Sequence, residues 1–216
     1  MATILVNGKP WEYEKTSYND DLHAIDHEDA QKLIVNIKKV LDKHHIFFMP
    51  MFGTLLGIVR DHAFIKNDHD MDLVIYEKDC QALINLIPEF YQNGIVFTRC
   101  SEPWIYTFKM GGADCDIYII KDAGWFYRWR YYRIIGCYIP KFYFKDSQKV
   151  TFLGELFDIP LKSECLLTYF YGKNWRIPSS RQAKIQTNEL IHINIYRFYK
   201  RCINYIKRHF FNKRQQ

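Results

Sequence analysis

The chain has no C-x-x-C pair. Its six cysteines, at 80, 100, 115, 137, 165 and 202, have no zinc-ligand spacing, so neither a zinc cage nor a dithiol motif is written into it. They are expected to be reduced and mostly buried, in a cytoplasmic protein. Residues 1–15 lack the basic start and long apolar core of a secretory signal, which supports the same expectation. No apolar run approaches the ~20 residues a helix needs to span a bilayer. The longest, Ile46 to Val59, is broken by Pro50 and two glycines. There is no internal repeat and no low-complexity linker. Acids are absent after Glu189, where seven Lys or Arg residues follow. That tail outweighs the whole net charge of +6 and leaves the rest of the chain near −1, a basic end on a near-neutral domain.

What is present is apolar and aromatic. Among 216 residues, 48% are hydrophobic, with 16 Tyr and 16 Phe. A real core can form, and the length suits one sizeable domain with an appendage. Thr3–Val6 and Trp11–Glu14 around Asn7-Gly8 read as a hairpin. Asp26 to His44 reads as an amphipathic helix capped by Asp26. A buried strand over Ile46–Met51, a short helix over Gly53–Arg60, a strand over Met71–Tyr76 and a helix over Lys78–Tyr91 follow. Strands are expected at Ile95–Arg99, Trp104–Met110 and Cys115–Ile120, with Gly111-Gly112 turning between the last two. Lys149–Ile159 reads as one or two strands. Ser163 is expected to cap a helix over Glu164–Tyr171 that Gly172 ends, and a last helix to run from about Thr187 to Phe211.

The chemistry concentrates between Gly53 and Asp72. Gly53-Thr54 follows an apolar strand and opens a helix, whose free N–H groups and positive dipole end suit a phosphate. Asp68, Asp70 and Asp72 alternate with His69 and Met71, so on an extended segment their carboxylates share a face. Clustered anions repel unless a cation lies between them, and hard oxygen ligands suit Mg²⁺ or Mn²⁺. The expected metal ligands are Asp70, Asp72 and Asp116, with Asp68 a further candidate. Asp116 opens a second apolar strand as Asp72 does, and is preferred to Asp114, which lies nearer the Gly-Gly turn. A Gly-Thr turn, an Asp-Met-Asp strand edge and a later Cys-Asp-Ile strand stand in the order of the polymerase-β-type nucleotidyltransferase fold. The fold class expected is therefore α/β (α+β), a mixed sheet flanked by helices, with a C-terminal helical extension. Residues 1–185 are expected to form the catalytic domain and 186–216 a basic amphipathic helix.

These residues resemble the LicD / fukutin-related family. The match lies in Gly53-Thr54-Leu55-Leu56-Gly57, Arg60, Phe64-Ile65, Asp68-x-Asp70-x-Asp72 and Asp116-Ile117-Tyr118. It continues in a closing block of Pro160, Leu166, Tyr171-Gly172, Trp175 and Pro178. The likeness covers roughly residues 30 to 180. Lys66-Asn67 replace the family's frequent Pro-Trp, and His69 stands where an Asp is common. The resemblance implies a nucleotidyltransferase-like fold, a divalent metal and transfer of a phosphocholine or phosphoalditol group from a CDP-activated donor. The acceptor it implies is a hydroxyl of a surface glycan or glycolipid, as in capsule or lipopolysaccharide biosynthesis.

In the mechanism expected, a glycan hydroxyl attacks the β-phosphorus in line and CMP leaves. Asp70 and Asp72 hold Mg²⁺, and Asp116 shares the metal or acts as general base. Gly53, Thr54, Arg60 and Lys66 meet phosphate, Arg60 as a fixed fork against developing charge. The alternative is a nucleotidyltransferase moving NMP from an NTP to a small molecule or RNA; a DxD glycosyltransferase and a non-catalytic binding module are further classes. Trp125–Arg133 interleaves aromatics with arginines. It could stack a cytosine, wall a sugar site or form an amphipathic helix. Tyr171-Gly172 and Trp175 are expected to pack the closing helix, with Gly172 in a left-handed conformation. The C-terminal helix is expected to touch the anionic inner face of the cytoplasmic membrane; nucleic acid is not an expected partner.

Overall fold

Asn7 and Gly8 both take positive φ, 51° and 75°, which is the two-residue turn that matches the twist of a hairpin. They join β1 (Ala2–Val6) to β2 (Lys9–Tyr13). In this computed structural model the chain is described over residues 1–16, 24–101, 103–125 and 127–178. The expected helix over 186–216, and with it the expected membrane contact, lies outside the described residues.

Asp26 caps α1 (His27–Lys43) as expected, its carboxylate accepting from the Glu28 and Asp29 amides at 3.0 and 2.9 Å. The helix buries Ala30, Leu33, Ile34, Ile37, Val40 and Leu41. Next come β3 (Phe48–Pro50), α2 (Phe52–Arg60) and β4 (Met71–Tyr76). The helix expected over Lys78–Tyr91 is broken into α3 (Cys80–Asn85) and α4 (Ile87–Gln92). Pro88 is the cause: it has no N–H to give to Ile84 and its ring crowds that carbonyl, so a new helix starts at Ile87, after Leu86, with Pro in its first turn.

β5 (Val96–Ser101), β6 (Ile105–Met110) and β7 (Ala113–Asp122) follow. Residues 125 and 127–130, which precede β8, lie in turns and not in an amphipathic helix. β8 (Tyr131–Ile134) and β9 (Cys137–Pro140) form a hairpin that sequence reasoning missed. β10 (Ser147–Phe152) and β11 (Glu155–Pro160) make a separate two-stranded sheet. α5 (Ser163–Tyr171) closes the described domain. Ser163 is not its cap: it is the first helical residue and is buried, and Lys162 stands before it with no side-chain capping bond.

The main sheet runs β3-β4-β7-β6-β5, with β8 and β9 continuing from the far end of β7. β4 and β7 are parallel and the remaining pairs antiparallel. Alternation along β4 and β7 gives the sheet two faces. Met71, Leu73, Ile75, Cys115, Ile117 and Ile119 lie in one core with α1, α3 and α4. Val74, Ile120, Tyr76 and Tyr118 lie in the other with α2 and α5. The result is three layers, helix on sheet on helix. Of the five cysteines described, Cys115 is buried, Cys165 is exposed and the other three are half-buried, so they are not mostly buried as expected.

Candidate active site

Asp72 and Asp116 belong to the α2/α5 face and are direct register partners on the parallel strands β4 and β7. The row continues sideways: Asp116 faces Thr107 on β6, and Thr107 faces Arg99 on β5. Asp72 is 7% exposed and Asp116 1%, so both carboxylates have left water and need partners. Asp116 has them. Arg99 Nη2 donates to both of its oxygens at 2.9 Å, and the Thr107 hydroxyl donates to Oδ1. Arg99 Nε in turn donates to Thr107 Oγ1 at 3.0 Å.

Arg99 had not been expected here. Plain alternation puts it on the face of Phe97, which lies in the opposite core. A register shift between Phe97 and Arg99 inserts one extra residue on β5, and such a bulge re-aims every side chain after it. The available signal was a lone charged residue, Arg99, in the strand Val96–Ser101.

Asp72 is tied to the start of α2. Gly53 N donates to Asp72 Oδ2 at 3.2 Å, Asp72 N donates to Thr54 Oγ1 at 2.8 Å, and Met51 N donates to the Asp72 carbonyl at 2.9 Å. The anion at this helix N-terminus is thus the protein's own carboxylate, and the buried Thr54 hydroxyl serves the strand. A Cβ on Gly53 would lie 2.8 Å from Asp68 Oδ2 and 3.5 Å from Asp72 Oδ2. Both carboxylates therefore converge over a position that only glycine leaves open. Phe52, just before it, takes φ 47°, a costly conformation for a bulky residue. Its ring is held at 5.3 Å from both Tyr118 and Phe170.

Asp68 and Asp70 sit half-buried in the loop that enters β4. Burial pushes the Asp70 carboxyl up to about 6, with the Asp116 and Asp68 charges adding to it and His69 and Arg99 opposing. Asp72 is held well above the carboxylate range by burial first, then by Asp70, Asp116 and Asp68, against the opposing Gly53 amide. Asp68 is raised by burial, against the His69 amide. Tyr171, the last residue of α5, lies within reach of this charge: burial raises its phenol, Asp72 and Asp68 raise it further, and Arg60 opposes.

Arg60 closes α2 and is gripped by Asp61, Nε to Oδ1 at 2.8 Å and Nη2 to Oδ2 at 2.6 Å. Lys66 is exposed in the loop after α2. The structure therefore gathers Gly53, Thr54, Asp68, Asp70, Asp72 and Asp116, adds Arg99 and Tyr171, ties Arg60 to Asp61 at the end of α2, and leaves Lys66 at the surface. Gly172 takes φ 81° and ψ −179°, positive as expected but extended in ψ, a region open essentially to glycine alone. Trp175 is buried at 4% exposure and donates to Thr168 Oγ1 at 3.1 Å.

Among the described residues, no three His, Cys, Asp or Glu side chains stand together as a metal cluster. The donors nevertheless fit a hard divalent cation in kind. Asp70 and Asp72 are oxygen ligands whose carboxyls are pushed up partly by neighbouring acids, Asp116 and Asp68 among them, a repulsion that a cation relieves. The third acid, Asp116, is committed to Arg99.

A mixed sheet between two helical layers, with an acid at matching register on two parallel strands beside a glycine-led helix, defines a nucleotidyltransferase-fold protein. The chain belongs to the LicD/FKTN/FKRP nucleotidyltransferase-domain family, whose model matches residues 45–179. With that membership comes the broad activity of a transferase of phospho-substituents. No curated protein matches the chain in sequence. Among solved structures it is similar to ANT(2")-Ia in complex with adenylyl-2"-tobramycin, at 15% identity and TM-score 0.46, covering 77% of this chain and 85% of that one. It is also similar to the lincosamide antibiotic adenylyltransferase LnuA, lincomycin-bound, at 10% identity and TM-score 0.45, covering 67% and 85%. The fold assignment rests on strand order and on the family match, not on these two likenesses.

Proposed function

We propose that the protein transfers a phosphocholine- or phosphoalditol-type group from a CDP-activated donor to a hydroxyl of a surface glycan, as in capsule or lipopolysaccharide biosynthesis. The observation that carries this reading is the convergence of Asp68 and Asp72 over Gly53, with Asp70 between them in sequence and Asp116 directly opposite Asp72. Such a set of oxygen ligands suits a divalent cation, the group that would neutralise phosphate charge in phosphoryl transfer.

Asp70 and Asp72 would hold Mg²⁺ or Mn²⁺, which would supply charge neutralisation across the donor diphosphate. The acceptor hydroxyl attacks the β-phosphorus, the bond from that phosphorus to the bridging oxygen breaks, and CMP leaves with the electron pair. The acceptor proton passes to a carboxylate. Asp116 takes that proton or shares the metal. Its engagement by Arg99 and Thr107 leaves one lone pair, on Oδ2, which either role would use. Arg60 would meet donor phosphate by exchanging Asp61 for it, and Lys66 would meet phosphate from the surface. Thr54 would act through Asp72, whose amide it fixes.

The test is turnover with CDP-choline, CDP-glycerol, CDP-ribitol, CTP and a UDP-sugar, each with Mg²⁺ and a glycan acceptor. CMP release from one CDP-linked donor is the expected result. Pyrophosphate release from CTP alone would replace this reading with NMP transfer.

A further inference from the structure

Residues 124–145 contain five Lys or Arg residues, ten aromatics and no acid. The loop that leads into β8 holds Trp125 at 76% and Trp129 at 75% exposure, and Phe142, beyond β9, is 52% exposed. Exposed indoles of this size are unusual on a water-facing surface, where their apolar area costs free energy.

The backbone beneath them is pinned. Tyr127 N donates to Gly124 O at 2.7 Å, Tyr131 N to Tyr127 O at 2.9 Å, and Ala123 N to Tyr131 O at 3.2 Å. The Tyr127 ring lies 6.2 Å from Tyr131 and 6.0 Å from Tyr138. Lys141 N donates to Arg130 O at 2.8 Å, which brings Phe142 to the same end of the hairpin. Cations stand beside the rings: Arg128 is 4.8 Å from the Trp129 ring centre and Lys162 is 5.3 Å from that of Phe142. The tryptophans are therefore presented from a held platform.

We propose that this platform docks on an anionic lipid surface, Trp125, Trp129 and Phe142 entering the interface while Arg128, Arg130 and Lys162 meet head groups. Indoles favour the lipid–water boundary, and cations near it are attracted by anionic lipid. A sugar platform commonly sets carboxylates beside the ring, and residues 124–145 supply no acid. The placement also suits the proposed chemistry. β7 carries Asp116 near its start and pairs with β8 at Lys121 and Asp122. Six residues of strand put the carboxylates roughly 20 Å from the docking end, within reach of a glycan carried on a membrane lipid. These residues lie outside 186–216 in sequence, and vesicle binding is read without substrate, so its failure leaves the transferase reading untouched.

The experiment is co-sedimentation of the full-length chain with phosphatidylcholine vesicles, with and without phosphatidylglycerol, alongside tryptophan quenching by brominated acyl chains. Wild type should bind the anionic vesicles and be quenched. Trp125→Ser with Trp129→Ser should lose at least about tenfold in partitioning and most of the quenching. Arg128→Gln with Arg130→Gln should lose about fivefold per cation on anionic vesicles alone. Unchanged thermal melting of these surface variants would establish that the fold is intact. A double-Trp variant that sediments like wild type, binding removed by Lys207→Gln with Arg208→Gln alone, or indole emission that answers a soluble oligosaccharide and not vesicles would each overturn the proposal.

Discussion

Asp72 on β4 and Asp116 on β7 occupy the same register on neighbouring parallel strands, and both are buried. Only one of them has a cation. Asp116 is held by Arg99, whereas Asp72 is met by a backbone amide and a strand-to-helix clasp. The uncompensated charge of the site therefore lies with Asp72 and its loop neighbours Asp70 and Asp68.

Replacing that charge separates chemistry from stability. Asp72→Asn or Asp70→Asn should reduce transfer by at least about a thousandfold. The metal-free protein should melt no lower than wild type. A buried repulsion is relieved in both variants, and the carboxamide oxygen that Asp72→Asn introduces can still accept from Gly53 N. Turnover assays paired with calorimetry in chelator test this. Near-normal turnover in either variant would remove these acids from the reaction.

Arg99 makes the opposite case. Its side chain is 12% exposed and its partner 1%, so Arg99→Gln strands a buried carboxylate and should cost about 3–5 kcal/mol. Asp116→Asn in the same chain should recover most of that loss. The single variant should also gain more thermal stability from Mg²⁺ than wild type does, since Asp116 is released to a metal. Equal Mg²⁺ shifts in both proteins would show that Arg99 and metal do not compete for Asp116.

The pH dependence follows from Asp70. Its carboxyl sits at about 6 in the fold against an ordinary 3.8, so between those values the folded state binds more protons than the unfolded one. Stability then falls as pH rises through the window, and the penalty is complete above about 6. Asp68 and Asp72, also raised, act with the same sign. In chelator, melting should occur higher at pH 5.5 than at 7.5, Asp70 alone contributing about 1 kcal/mol over that interval out of about 3 kcal/mol over the whole window. Excess Mg²⁺, or Asp70→Asn, should shrink the difference. A melting point that falls on acidification in chelator would contradict the repulsion.

Much of this architecture was legible because local chemistry and tertiary placement agree. Asn7-Gly8 makes its turn, Asp26 caps α1, and the apolar runs after Asp72 and before Pro160 become strands. Asp72 and Asp116 could be paired from sequence, as each stands near the start of an apolar strand. Arg99 could not, because one bulge residue reverses the face it points to. The β8–β9 hairpin was hidden by its composition, since Tyr131–Pro140 alternates poorly and its turn, at Ile135-Gly136, begins with an isoleucine at φ 50°. Tyr171 was read as packing alone; α5 both buries Phe170 and brings the neighbouring phenol to the carboxylates.

Two glycines of α2 distinguish a site requirement from a packing one. A Cβ on Gly57 would fall 2.5 Å from the Ala63 carbonyl oxygen and 3.2 Å from Ile65 N. Both are backbone atoms of the loop that follows, so Gly57→Ala must push that loop away from the helix and should cost about 1–3 kcal/mol. At Gly53 the near atoms are carboxylate oxygens of Asp68 and Asp72, which can rotate aside. Alanine also favours a helix by up to about 1 kcal/mol over glycine. Gly53→Ala should therefore keep its melting temperature while Asp68 and Asp72 are displaced and transfer falls by about a hundredfold or more. Melting curves and turnover measured on both variants give the comparison. If Gly53→Ala turns over normally, the closeness of the two carboxylates to the helix start is irrelevant to the chemistry. If it unfolds as readily as Gly57→Ala, the glycine is there for packing.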